Sequence, residues 1–100
     1  MENKYCILGR IYAIYEVVLA ESNITMFPVE RFWKIPKICI PLAEGKCHQR
    51  NVIRNYMKYE TRLDELFSTL HEIPETFPDA NAKSDMTIGY HSEMRRMKNK

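Results

Sequence analysis

One hundred residues that are 45% hydrophobic and 28% charged, with three glycines and five prolines, are expected to form one globular domain over residues 1–100, and the composition excludes collagen-like and disordered classes. The formal net charge is only +2, and the longest apolar runs are too short to cross a bilayer, so no membrane partner is expected. Cys6, Cys39 and Cys47 are odd in number and form no Cys-x-x-Cys pair, which fits reduced thiols in a cytoplasmic protein better than a disulfide framework.

Ile7, Leu8, Ile11, Ile14, Tyr15, Val18 and Leu19 recur with a 3.6-residue period, predicting an amphipathic first helix from about Lys4 to Glu21. Gly9 and Ala13 lie four apart on it and open a place for a neighbouring element to approach closely. Ser22-Asn23 supply a stop, and Pro28 can start a short helical turn through Glu30, Arg31, Phe32 and Trp33. A further helix is expected from near Pro36 with a bend at Pro41, because an interior proline removes a backbone donor.

From Asn51 to Ile73 the residues Val52, Ile53, Tyr56, Leu63, Leu66, Phe67, Leu70 and Ile73 hold an apolar face interrupted near Tyr59-Glu60, predicting the longest helix of the chain. Pro74 and Pro78 enclose a loop. Ser84 can then cap a last helix whose apolar stripe is Met86, Tyr90, Met94 and Met97. No segment alternates with a strand's period, so the expected class is all-α, a single bundle of four to five helices.

Charge is arranged in blocks. Residues 1–30 hold two basic and four acidic groups, 31–62 eight and two, 63–93 one and seven, and 94–100 four and none. Such segregation suggests separate faces for separate partners, or blocks that neutralise one another within the fold. Within the basic block, Lys46, Arg50, Arg54, Lys58 and Arg62 recur every four residues; on one helix they would stand roughly 6 Å apart along the axis, a spacing that can follow a phosphate backbone. Like charges at this spacing repel, and cations toward a helix N-terminus oppose its dipole. Helix stability therefore gives no reason for the row, whereas a bound polyanion would. Tyr59, interleaved with the row, is a candidate for stacking on a base, and Tyr56 is a core candidate.

Catalytic signatures are missing. There is no glycine-rich phosphate loop, no His-Glu-x-x-His and no nucleophile elbow. Cys47-His48, with His71 or His91, could supply metal ligands but lacks the spacing of a finger. No metal or other cofactor is expected, and the chain is read as a non-enzyme.

Three segments carry a resemblance: Tyr5-Cys6-Ile7-Leu8-Gly9-Arg10-Ile11-Tyr12-Ala13-Ile14-Tyr15-Glu16, then Glu30-Arg31-Phe32-Trp33, and finally Ile88-Gly89-Tyr90-His91, preceded by Phe77-Pro78. In order and content they resemble the small subunit of type I-C CRISPR surveillance complexes, equivalent to the C-terminal helical domain of the large subunit. The chain departs from that pattern in Lys34-Ile35-Pro36-Lys37-Ile38, where the family has small residues. It departs again in Ser92-Glu93, where the family has Gln-Arg.

The resemblance implies a non-catalytic helical subunit of an RNA-guided effector, present in several copies beside large and backbone subunits. Its task would be to hold the displaced, single-stranded non-target DNA and so stabilise the R-loop. The residues expected to contact DNA are Lys46, Arg50, Arg54, Lys58, Tyr59 and Arg62, with Arg31, Lys34 and Lys37 extending the path. A second expectation from the same likeness is a phage anti-CRISPR protein that mimics the subunit and blocks assembly or DNA binding.

Overall fold

A computed structural model describes residues 2–99, which form six helices and no strand: α1 (Lys4–Glu21), α2 (Val29–Lys34), α3 (Pro36–Cys47), α4 (Ile53–Met57), α5 (Glu60–Leu70) and α6 (Ala80–Lys98). The chain is thus an all-α bundle, with more helices than the expected four to five.

Helix α1 is the centre of the bundle. The Asn3 side chain caps it by accepting hydrogen bonds from the backbone N–H groups of Tyr5 and Cys6, both at 3.0 Å, which satisfies two of the donors a helix start leaves orphaned. Its far end stops at Ser22, after which Asn23 takes φ 61°, the left-handed conformation that asparagine tolerates better than most residues. Tyr12, Ala13 and Gly9 are buried along with Ile7, Leu8, Ile11, Ile14, Tyr15, Val18 and Leu19. An apolar surface that extends well beyond one stripe requires neighbours on several sides.

The most intimate of those neighbours is α6. A Cβ built on Gly9 would lie 2.0 Å from the carbonyl oxygen of Met86, and one built on Gly89 would lie 2.0 Å from that of Cys6. The two glycines therefore let the two backbones touch, the close approach that the first helix's sequence offered. Contacts rise together along both helices, from Asn3 with Asp85 to Arg10 with Glu93, so α1 and α6 run in the same general sense.

Pro36 opens α3 at a position where a proline's missing N–H costs nothing, and Pro41 lies inside it, leaving the exposed Lys37 carbonyl without its helical donor. The expected long helix from Asn51 to Ile73 is instead divided into α4 and α5. At the junction Tyr59 takes φ −114° and ψ 0°, and the N–H groups of Lys58 and Tyr59 bond three residues back, to Asn55 and Tyr56. The two pieces are held to different neighbours: Asn55 Nδ2 donates to Ser22 Oγ at 2.8 Å and Tyr56 to Glu44 at 2.7 Å, whereas α5 is tied to α6 through Arg62. The longest helix is α6. Its cap is Asp79, which accepts from Ala82 N–H at 2.9 Å, so Ser84 lies within the helix rather than at its start.

Leu8, Ile11, Tyr15, Val18, Leu63, Leu66 and Leu70 are buried as expected, while Phe67 is only half-buried against them. Polar groups inside are partnered. Tyr12 donates to the Phe27 carbonyl at 2.6 Å, and Tyr15 and Tyr56 both donate to the Glu44 carboxylate.

Candidate nucleic-acid interface

Of the regularly spaced cations, Lys46 lies in the last turn of α3, Arg50 in the turn that follows, Arg54 in α4, Lys58 at its C-cap and Arg62 in the first turns of α5. They do not stand on one helix. This overturns the single-helix geometry and its electrostatic consequence. Lys46 occupies a last turn and Glu60 a first turn, the placements that helix dipoles favour, whereas Arg62 keeps the unfavoured place near the start of α5.

Open cations survive. Arg50, Arg54 and Lys58 are exposed, and among the described residues none has a carboxylate within ion-pairing distance. Lys34 and Arg31 are likewise exposed and without an ion pair, although Arg31 lies 5.2 Å from the centre of the Phe27 ring. Lys46, half-buried, reaches the same ring at 4.5 Å. Lys37 meets Glu75 at 3.4 Å, with both side chains largely in solvent, a pair worth a fraction of a kcal/mol that can open to another anion. The block from 31 to 62 is thus neutralised by the 63–93 block at Lys37 and Arg62 and left unneutralised elsewhere.

Arg62 belongs to a different structure. Its Nε and Nη2 donate to Glu93 at 3.0 and 2.8 Å, and Nη1 reaches Glu65 at 3.4 Å. Glu93 is fully buried, and it also accepts from Arg10 at 3.0 Å and from Arg96 at 3.5 Å, while Arg10 forks onto Glu2 with two bonds of 2.7 Å. Arg10, Arg62 and Arg96 balance Glu2, Glu65 and Glu93 in a neutral cluster joining α1, α5 and α6. Burial pushes the Glu93 carboxyl up, but the bonds from Arg62 and Arg10 outweigh it and hold the group below the usual carboxylate range. The same cluster raises the Arg10 and Arg62 guanidiniums, through Glu2 and Glu93 respectively.

Tyr59 is half-buried against the core. Burial, then the charge of Glu21 and a hydrogen bond to it, raise its phenol, so its ring is less free to stack than the sequence suggests.

Arg10 and Glu93 were not among the sequence candidates. A signal existed: Glu93 falls on the same stripe as Met86, Tyr90 and Met97, and a carboxylate on an apolar stripe requires a partner. The described cysteines and histidines form no second cluster. Cys47 is buried, with its thiol pushed up to about 12 by desolvation and Glu44. The His48 ring lies tilted against Tyr56 at 5.0 Å, and His91 is exposed beside Tyr90. Among the described residues no group of three or more His, Cys, Asp or Glu is placed to hold a metal, and no helix is long and apolar enough to cross a membrane.

No protein-family model matches the sequence, and neither a curated protein nor a solved structure gives a match.

Proposed function

We propose that this chain is a non-catalytic small subunit of a type I CRISPR RNA-guided effector, which steadies the R-loop by holding the displaced non-target strand. The observation that carries the reading is the open set of Arg50, Arg54 and Lys58. Three exposed cations, at 50, 54 and 58, have no carboxylate partner among the described residues, and their long side chains can each meet a phosphate without reading a base. The ordered sequence likeness at 5–16, 30–33 and 88–91 supplies the type of complex. Lys34 and Arg31 lie on the same charge block, and Lys37 joins them when Glu75 releases it. Arg62 serves this role indirectly, by fixing α5 against α6.

Contacts with large and backbone subunits and with further copies of the chain fall to other surfaces. Ile38 and Leu42, one turn apart on α3, are 55% and 45% exposed, apolar area of the kind that protein partners cover.

The test is reconstitution. An effector assembled without its small subunit should regain target-DNA binding and R-loop stability when the chain is added, and a variant with Arg50, Arg54 and Lys58 changed to glutamate should assemble but fail to restore binding. Inhibition of a complete effector, without restoration of a deficient one, would instead support the anti-CRISPR mimic.

A further inference from the structure

A cavity lies between α1, α2 and α6, and the residues of the basic row do not line it. It has a volume of about 450 Å3; Tyr12, Trp33 and Tyr90 contribute rings, Val29 and Met86 apolar walls, and Glu16 a carboxylate. Aromatic faces carry negative potential and attract cations. A carboxylate beside them adds charge of the same sign.

Glu16 is held in place. The Tyr90 hydroxyl donates to its Oε1, and no hydrogen bond from a described residue reaches Oε2. Burial first, and then the charges of Glu16 and Glu30, push the Tyr12 phenol up to about 12. Trp33 also walls the adjoining smaller cavity, where Lys83 Nζ lies 5.1 Å from the indole centre. The indole thus already holds one cation from within the chain.

The size and wall chemistry select among cations. A volume of about 450 Å3 exceeds what a bare ammonium fills and falls within the range of roughly 300–1,000 Å3 typical of ligand pockets. Apolar walls suit an aliphatic stem. A planar guanidinium stacks on aromatic rings and donates in a fork to a carboxylate, which an ammonium cannot do.

We propose that this cavity receives an arginine side chain presented by a partner protein, with its guanidinium against the Trp33 and Tyr90 rings and Glu16, and its stem along Val29 and Met86. The proposal is independent of the DNA-holding role.

Trp33 is the only tryptophan in the chain, so its emission reports occupancy directly. The full chain is titrated with N-acetyl-arginine methylamide, its lysine and citrulline counterparts, and free arginine. Saturable change with the capped arginine, at least about tenfold tighter than with the neutral citrulline form, is expected, as is a loss of about tenfold or more in Glu16→Gln. Thr87 also lines the cavity and is exposed; Thr87→Lys, which brings a resident cation to the mouth, should likewise abolish the response. Thermal melts establish that both variants fold. Equal binding of citrulline, equal or tighter binding of the lysine form, or no saturable response of the folded chain would overturn the arginine assignment. Tighter binding of free arginine than of the capped form would overturn the partner-protein source.

Discussion

Arg10 and Glu93 stand 83 positions apart in sequence and meet at 3.0 Å, with the carboxylate fully shielded from solvent. Taking one partner from a buried ion pair costs about 3–5 kcal/mol because the other charge is left desolvated. Arg10 and Arg62 retain 16% and 21% side-chain exposure and can turn partly outward. Glu93→Ala is therefore expected near the lower end, about 3 kcal/mol by urea denaturation.

The same carboxylate makes the fold sensitive to acid. Its pKa is lowered from the ordinary 4.5, so folded Glu93 holds its proton more weakly than the unfolded chain does. The stabilisation is complete above about pH 4.5, the unfolded value, and is lost as pH falls through the folded value. Urea midpoints measured from pH 7 downward should decline below that point, and Glu93→Gln should flatten the decline while lowering the neutral plateau.

The glycines predict a contrast among three positions. Gly9→Ala and Gly89→Ala each force a Cβ into backbone on the facing helix, and the helices must separate; a cost at or above the usual 1–3 kcal/mol of overpacking is expected in each melt. Gly45 has nothing within 4 Å of its Cβ position and lies in α3, so Gly45→Ala should stabilise by about 0.5–1 kcal/mol.

Charge reversal separates the open cations from the buried cluster. Arg50→Glu, Arg54→Glu and Lys58→Glu together should shift stability little, since these side chains are exposed and have no ion pair among the described residues, with surface changes usually within about 0.5 kcal/mol each. Binding of single-stranded DNA should weaken for all sequences alike, and the salt slope should shrink by about 0.7 for each phosphate that is no longer neutralised. Arg62→Glu should instead unfold the chain or lower its melting temperature sharply, by setting a second carboxylate against Glu93.

Leu66 is 5% exposed in the core. Leu66→Ala should cost about 2–5 kcal/mol in the denaturation midpoint, depending on how far Leu63 and Leu70 close the gap.

Periodicity made α1 legible at both ends, and prolines marked the starts of α2 and α3, because these signals are local to the residues that obey them. The split of α4 from α5 was less accessible. Val52, Tyr56, Leu63 and Leu66 keep one helical phase across the junction, while one piece bonds to Ser22 and Glu44 and the other to Glu93, partners that no local pattern reveals. The candidate interface suffered for the same reason. Spacing identified Arg50, Arg54 and Lys58 as cations, but only the tertiary position of Glu93 distinguishes them from Arg62. Arg10 looked like part of a motif, with no sign in its neighbours that it faced a carboxylate on the last helix.

The pairing of α1 with α6 also governs how the chain is made. A ribosome delivers α1 well before α6, at roughly 5–20 residues per second, and the groove at Gly9 stays empty until the residues around Gly89 emerge. During that interval the most apolar helix of the protein lacks its closest neighbour. Completion of the fold is thus a late event, and a nascent chain stalled ahead of α6 would present the Gly9 face to chaperones or to other stalled copies.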